Sequence, residues 1–96
     1  MTGAWLADTR AEVRALWESV GWCADCMTRP AASELERCVA VCDTLRTHLT
    51  GPDGRILVVV GQLASLARDP DPAWSTVIAI ASTLGDLDSA LADLGE

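Results

Sequence analysis

Apolar residues recur every three or four positions through four stretches of the chain, and clusters of Pro, Gly and Asp separate these stretches. The separating clusters lie at residues 28–33, 50–54 and 68–72. A spacing of three and four places apolar side chains on one face of an α-helix, whereas Pro, Gly and Asp clusters are typical of turns. The pattern therefore predicts four amphipathic helices joined by short connections.

Residues that begin or interrupt helices set the predicted boundaries. Gly21 lies inside the first stretch, and we expect the helix to continue past it at a cost of about 1 kcal/mol relative to Ala. Ser33 and Glu36 form an S-x-x-E pattern, which predicts a capping box at the start of the second helix. The fourth helix is expected to have Asp71 as its N-cap and Pro72 at its first helical position.

The third stretch is ambiguous because its sequence RILVVV, residues 55–60, also suits a buried β-strand. No other segment is a candidate to pair with such a strand, and a lone strand leaves its backbone groups without hydrogen bonds. We therefore predict a helix that starts near Pro52.

Short connections place successive helices antiparallel to one another. The expected fold is an all-α, antiparallel, up-down-up-down four-helix bundle. A chain of 96 residues has the length of one domain, so residues 1–96 are expected to form a single helical-bundle domain.

Composition indicates which side chains fill the core of this bundle. Half of the residues are hydrophobic, but Phe and Tyr are absent, so the core is predicted to be aliphatic. The aromatic side chains are Trp5, Trp17, Trp22 and Trp74. Large aromatic residues at the border of an apolar stripe are often half-buried, or else they form a binding face, because Trp is enriched in interface hot spots.

The net charge and the distribution of arginines indicate which class of partner is expected. Fourteen acidic residues face seven arginines, there is no lysine, and the net charge is −7. The arginines are scattered singly, whereas nucleic acids bind clustered Lys and Arg, so nucleic acid is not expected as a partner. A protein partner or a homo-oligomer is expected instead. Self-association is predicted through an apolar stripe formed by Val58 and Ala79 with Val59 or Ile78.

The longest strongly apolar run, residues 56–60, is far shorter than the roughly 20 residues that cross a bilayer. The first 17 residues mix charged with apolar side chains, unlike a secretory signal. We therefore expect a soluble, cytoplasmic protein without a membrane partner.

All four cysteines lie between residues 23 and 42, as a Cys-x2-Cys pair and a Cys-x3-Cys pair separated by eleven residues. If the first two helices form a hairpin that turns near residues 32 and 33, the numbers of facing residues add to about 65. This register pairs Cys23 with Cys42 and Cys26 with Cys38, so the four thiols are expected to converge and to link the hairpin.

Several kinds of chemistry suit such a cluster. A reducing cytosol disfavours structural disulfides, so a structural zinc bound by Cys23, Cys26, Cys38 and Cys42 is favoured. Two disulfides, Cys23–Cys42 and Cys26–Cys38, are the next alternative. Cu(I) or an iron–sulfur cluster is a third, and ordinary packing of four small core residues is the fourth.

Catalytic groups are sparse. His48 is the sole histidine, and its place near the predicted end of the second helix favours a structural role. Asp86 and Asp88 are two residues apart and diverge around a helix, so they do not form an acid–base pair.

These observations predict a small non-enzymatic interaction or regulatory module whose N-terminal hairpin is fixed by the four-cysteine site. The alternative is a thiol-redox or soft-metal protein in which the cysteines themselves are the functional site.

Overall fold

A computed structural model describes residues 4–49 and 54–95. It contains the helices α1 (Ala4–Asp25), α2 (Ala32–His48), α3 (Gly54–Ala67) and α4 (Trp74–Gly95). No strand occurs within these two ranges, so the prediction of an all-helical chain is confirmed.

The four helices pack as a bundle in which each contacts two others. α1 packs against α2 and α4, and α3 packs against the same two helices. As predicted, aliphatic residues dominate the fully buried core: Val13, Leu16, Val20, Leu45, Val60, Leu63, Val77, Ile80, Leu84, Leu87 and Leu91. No helix in the described ranges combines the length and apolar character that a bilayer crossing requires.

The hydrophobic run that also suited a strand lies within α3. Ile56 and Val60 are buried, whereas Val58 is 60% exposed. This distribution follows the helical period, which turns only one side of the run toward the core. The expected start of the helix near Pro52 lies outside the described residues.

α1 continues through Gly21 as predicted and ends in a Schellman motif. The Thr28 amide donates to the Cys23 carbonyl at 2.9 Å, and the Met27 amide donates to the Ala24 carbonyl at 3.3 Å. Met27 has a φ of 56°, the left-handed conformation that this motif requires and that glycine usually supplies. The motif leaves Cys23 inside the last turn of α1 and puts Cys26 at its C-cap.

The start of α2 differs from the prediction. The helix begins at Ala32, and the Glu34 carboxylate accepts a hydrogen bond from the Ala31 amide at 3.2 Å. The capping box predicted from Ser33 and Glu36 is wrong because both residues already lie inside the helix.

The start of α4 also differs. The first turn of the helix begins at Trp74, and the Ala73 carbonyl accepts its first backbone hydrogen bond. Asp71 forms an ion pair with Arg29 instead of capping the helix, and Pro72 is buried before the helix begins. The predicted start at Asp71 and Pro72 is therefore wrong by two residues.

Candidate functional site

The cysteines differ in their surroundings. Cys23, Cys38 and Cys42 are buried, whereas Cys26 is exposed at the end of α1, and all four are free thiols. The Cys42 thiol donates a hydrogen bond to the Val60 carbonyl of α3, with a sulfur–oxygen distance of 3.5 Å. Three of the four sulfurs therefore belong to the core.

The register of α1 against α2 explains why the thiols do not converge. Three side-chain contacts join these helices: Glu12 with Arg37, Ser19 with Glu34, and Trp5 with His48. The residue numbers of each pair add to 49 or 53, not to the predicted 65. At about 1.5 Å per residue, this difference separates the predicted cysteine partners along the helices by about 20 Å.

A zinc tetrahedron needs four ligands within about 2.3 Å of one ion. The described ranges, which include all four cysteines and His48, hold no group of three or more His, Cys, Asp or Glu side chains placed to bind a metal. A disulfide requires Cα atoms within about 7 Å, and the register of α1 and α2 does not bring the predicted partners that close. The arrangement therefore does not fit the predicted zinc site or paired disulfides, which stay predictions without structural support.

Two of the buried thiols are also unreactive at neutral pH. Burial raises the pKa of Cys38 to about 12, and the nearby Cys42 and Glu34 add to this shift. Burial likewise raises the pKa of Cys42 to about 11. Because the thiolate is the form that attacks electrophiles and binds metals, both side chains act at neutral pH as small core residues.

The most unusual surface of the molecule lies on α1 and α4. Five large apolar side chains that are 41% to 71% exposed lie on the second half of α1, the turn after it and the first half of α4. We call this part of α1 and α4 the tryptophan face; its exposed apolar side chains are Trp17, Trp22, Met27, Trp74 and Ile78. Exposed aromatic and methionine side chains are enriched at interaction surfaces.

Two of these indoles are held in place by the α1–α4 interface. The Trp17 ring lies over Gly85, where a Cβ atom would be 3.1 Å from the Trp17 Nε1 atom. The Trp74 Nε1 atom donates a hydrogen bond to the Ala24 carbonyl at 3.2 Å. The rings therefore bridge the two helices while they remain half-exposed.

The charge around the tryptophan face is negative. Glu18 and Asp25 are exposed on the same half of α1. The ion pairs found among the described residues join Arg14 with Asp88, Arg29 with Asp71, and Arg37 with Glu12. None of them includes Glu18 or Asp25, so these two carboxylates remain free to meet a basic partner.

The sequence contained a signal for this surface. Glu18, Trp22 and Asp25 follow the spacing of one helical face, opposite the stripe that enters the core, whereas Trp17 lies at the border of that stripe. The tryptophans are predicted from the sequence as candidate contacts, but the carboxylates between them are not part of that prediction.

Comparisons of the chain with protein-family models, with curated proteins and with solved structures found no match. The function is therefore inferred from the side chains of this protein alone.

Proposed function

We propose that the protein is a non-enzymatic interaction module that binds a basic, partly apolar segment of a partner protein on the tryptophan face. The observation that carries this proposal is the exposure of three of the four indoles, Trp17, Trp22 and Trp74, which are 41% to 63% exposed on the neighbouring helices α1 and α4. Tryptophan is the side chain most enriched at the energetic centres of protein interfaces.

Charge complementarity supports a basic partner. The chain has a net charge of −7, and the carboxylates of Glu18 and Asp25 are exposed on the same half of α1 as Trp17 and Trp22. A Lys or Arg side chain placed there gains attraction to a carboxylate and a cation–π contact with an indole. The overall negative field also accelerates the approach of a positively charged segment.

The proposed scaffold is the up-down-up-down antiparallel bundle. The contacts between α1 and α2 join successively later residues of one helix to successively earlier residues of the other, which supports this path. Rigid helices present a binding surface with little loss of conformational entropy on association.

The cysteines enter this proposal as core residues. The arrangement of the thiols does not support a structural link between the two helices of the N-terminal hairpin. It does not support the alternative function in redox or soft-metal chemistry either, because Cys38 and Cys42 are buried and protonated. The exposed thiol of Cys26 has no second thiol aligned with it in the register of α1 and α2.

A pair of designed peptides tests the proposal. One is an amphipathic helix of Leu and Lys, and the other has Glu at every Lys position. We expect the Leu–Lys peptide to bind with a Kd on the order of micromolar, more weakly as salt concentration rises, and the Leu–Glu peptide not to bind. Isothermal titration calorimetry measures both affinities.

Matched variants locate the binding surface. Trp22 and Val58 are 63% and 60% exposed, on α1 and α3 respectively. Trp22→Ala is expected to weaken the Leu–Lys peptide about tenfold or more, whereas Val58→Ala leaves its affinity unchanged. Equal binding of the two peptides, or equal loss in the two variants, would contradict the proposal.

Self-association is the competing use of an apolar surface. Val58 and Ile78 of the predicted stripe are exposed, whereas Val59 and Ala79 are only partly so. Light scattering of the free protein distinguishes the two uses. A stable dimer that Trp22→Ala dissociates would assign the tryptophan face to a second copy of the chain instead of a basic partner.

A further inference from the structure

A second surface feature lies on the other side of α1, where an open groove between α1 and α2 has a volume of about 340 Å³. Trp5, Asp8 and Glu12 line the groove from α1, and Ala40 and Val41 line it from α2. The groove extends over about two turns of each helix.

Small side chains keep this groove open. Ala40 presents a single methyl group, and the neighbouring positions of the wall are threonines and a valine. An aromatic contact and a polar contact join the helices at the two ends of the groove. At one end the Trp5 and His48 rings stack with centroids 4.2 Å apart, and at the other Arg37 donates to Glu12 at 2.5 Å.

The charged groups of the groove are not equivalent. Glu12 is occupied by Arg37, whereas Asp8 takes part in none of the ion pairs found among the described residues. Asp8 lies one helical turn from Trp5, so a free carboxylate and an indole ring share the same wall. No third metal-ligating side chain joins Asp8 and Glu12 in the described ranges.

We propose that this groove binds the alkylammonium group of a small free amine. The aliphatic body of the amine would lie along Ala40 and Val41, and its ammonium group would lie against Asp8 and the face of the Trp5 ring that His48 does not cover. Aromatic rings beside carboxylates attract organic cations through the cation–π interaction and direct charge attraction. The lack of a third ligand among the residues that the structure describes favours an organic cation over a metal ion, which takes several oxygen ligands.

The volume of the groove limits the size of the ligand. Its volume lies at the lower end of the range of about 300–1,000 Å³ that is typical of small-molecule sites. An amine of five or six carbons spans the distance from Asp8 toward the Arg37 end. With so few contacts, we expect a Kd on the order of 1 mM.

Three probes of equal length test the role of charge: pentylammonium, pentanol and pentanoate. Two-dimensional ¹H–¹⁵N NMR of the full chain follows each titration. We expect pentylammonium to produce saturable shifts confined to the amides of residues 5–12 and 37–44. Pentanol is expected to bind at least about threefold more weakly, and pentanoate is expected not to bind.

Two variants and a control test the assignment of residues. Asp8→Asn is expected to weaken pentylammonium binding about three- to fivefold, whereas Asp43→Asn, which removes the same charge from an exposed position of α2, leaves it unchanged. Ala40→Leu is expected to abolish the shifts by filling the groove. Unchanged far-ultraviolet circular dichroism verifies that each variant is folded.

Equal affinity for pentylammonium and pentanol, or unchanged affinity in Asp8→Asn, would overturn the proposal of a cation site. A blocked lysine, Nα-acetyl-lysine N-methylamide, distinguishes a free amine from the side chain of a protein. Tighter binding of the blocked lysine than of pentylammonium would overturn the assignment to a free amine and give the groove to a lysine of a partner.

Discussion

α1 packs against α4 on one side and against α2 on the other, and these two interfaces are built differently. Toward α4, the indole of Trp17 covers Gly85 and that of Trp74 reaches the backbone of α1 at Ala24. Toward α2, the helices are joined through polar and aromatic pairs at the ends of a groove floored by small side chains.

The comparison shows that small residues alone do not determine whether two helices close together. Gly85 and Ala40 both leave room beside α1, but a large side chain from α1 fills only the space at Gly85. The α4 side is therefore tightly packed and presents its indoles outward. The α2 side keeps an open groove with a free carboxylate.

The largest difference in the free energy of unfolding is expected when a charge is placed in the buried core, compared with the groove between α1 and α2. Leu84 is fully buried in α4, whereas Ala40 is exposed on the groove side of α2. Leu84→Asp places an unpaired carboxylate in the core at a cost of several kcal/mol and is expected to unfold the protein. Ala40→Asp is expected to change the free energy of unfolding by less than about 1 kcal/mol.

Circular dichroism and urea denaturation measure both variants. If Ala40→Asp destabilised the protein as much as Leu84→Asp does, the groove between α1 and α2 would be closed in solution.

The core-facing side of α2 is expected to make the protein sensitive to alkali. Because burial raises the pKa of Cys38 to about 12 and that of Cys42 to about 11, the folded state disfavours their thiolates. The unfolded state loses these protons near pH 9. The free energy of unfolding should therefore be insensitive to these thiols below about pH 9 and fall as the pH rises toward 11 and 12.

The chain has no tyrosine and no lysine, the side chains that ordinarily titrate between about pH 10 and 11. Their titration therefore does not overlap with that of the two thiols. Urea denaturation at a series of pH values measures the effect, with the double variant Cys38→Ala/Cys42→Ala as the control. Its stability should decline less steeply above pH 9. The same slope in both proteins would show that these thiols are not buried as described.

Single cysteine substitutions compare the stability contributed by a thiol in the core of α2 with that of a thiol at the exposed end of α1. Cys38→Ser replaces a fully buried thiol with a more polar hydroxyl and is expected to cost about 1–2 kcal/mol. Cys26→Ser, at an exposed position, is expected to change stability by less than about 0.5 kcal/mol. Equal and large losses in chemical denaturation would instead indicate that the four cysteines act as one site.

The smallest expected effects come from two glycines inside helices. A Cβ atom at Gly21 of α1 would have no neighbour within 4 Å, whereas one at Gly85 would press on the Trp17 indole. Gly21→Ala should stabilise the protein by about 0.5–1 kcal/mol. Gly85→Ala should gain less, because Trp17 must shift outward.

Thermal denaturation measures the stabilities of both variants. All four indoles contribute to Trp fluorescence, so a change at Trp17 is read as the difference in emission between the two variants. Gly85→Ala should shift the emission to longer wavelength relative to Gly21→Ala. Equal stabilisation without such a shift would contradict the described contact between Trp17 and Gly85.

The helical character of the chain and its aliphatic core could be predicted from the sequence because both depend on local periodicity. Leu84, Leu87 and Leu91 recur at helical spacing, and all three are fully buried. The helical state of residues 55–60 was likewise predictable, because no second segment could complete a sheet.

The cysteine register could not be predicted in this way because it depends on the connection between α1 and α2. A turn at residues 32 and 33 was assumed, but α2 already begins at Ala32. Met27 adopts a left-handed conformation, and because it is not a glycine, the sequence does not indicate that α1 ends there. A shift of a few residues in this connection moves the facing residues of two antiparallel helices by many ångströms.

The stacked rings of Trp5 and His48 make the outer end of the α1–α2 pair observable. Their planes differ by 5°, so the indole ring current shifts the imidazole proton resonances upfield whenever the stack is formed. Helix ends open at a lower free-energy cost than cores do. The chemical shifts of this one imidazole therefore report on the fraying of two helices at once, separately from unfolding of the whole protein.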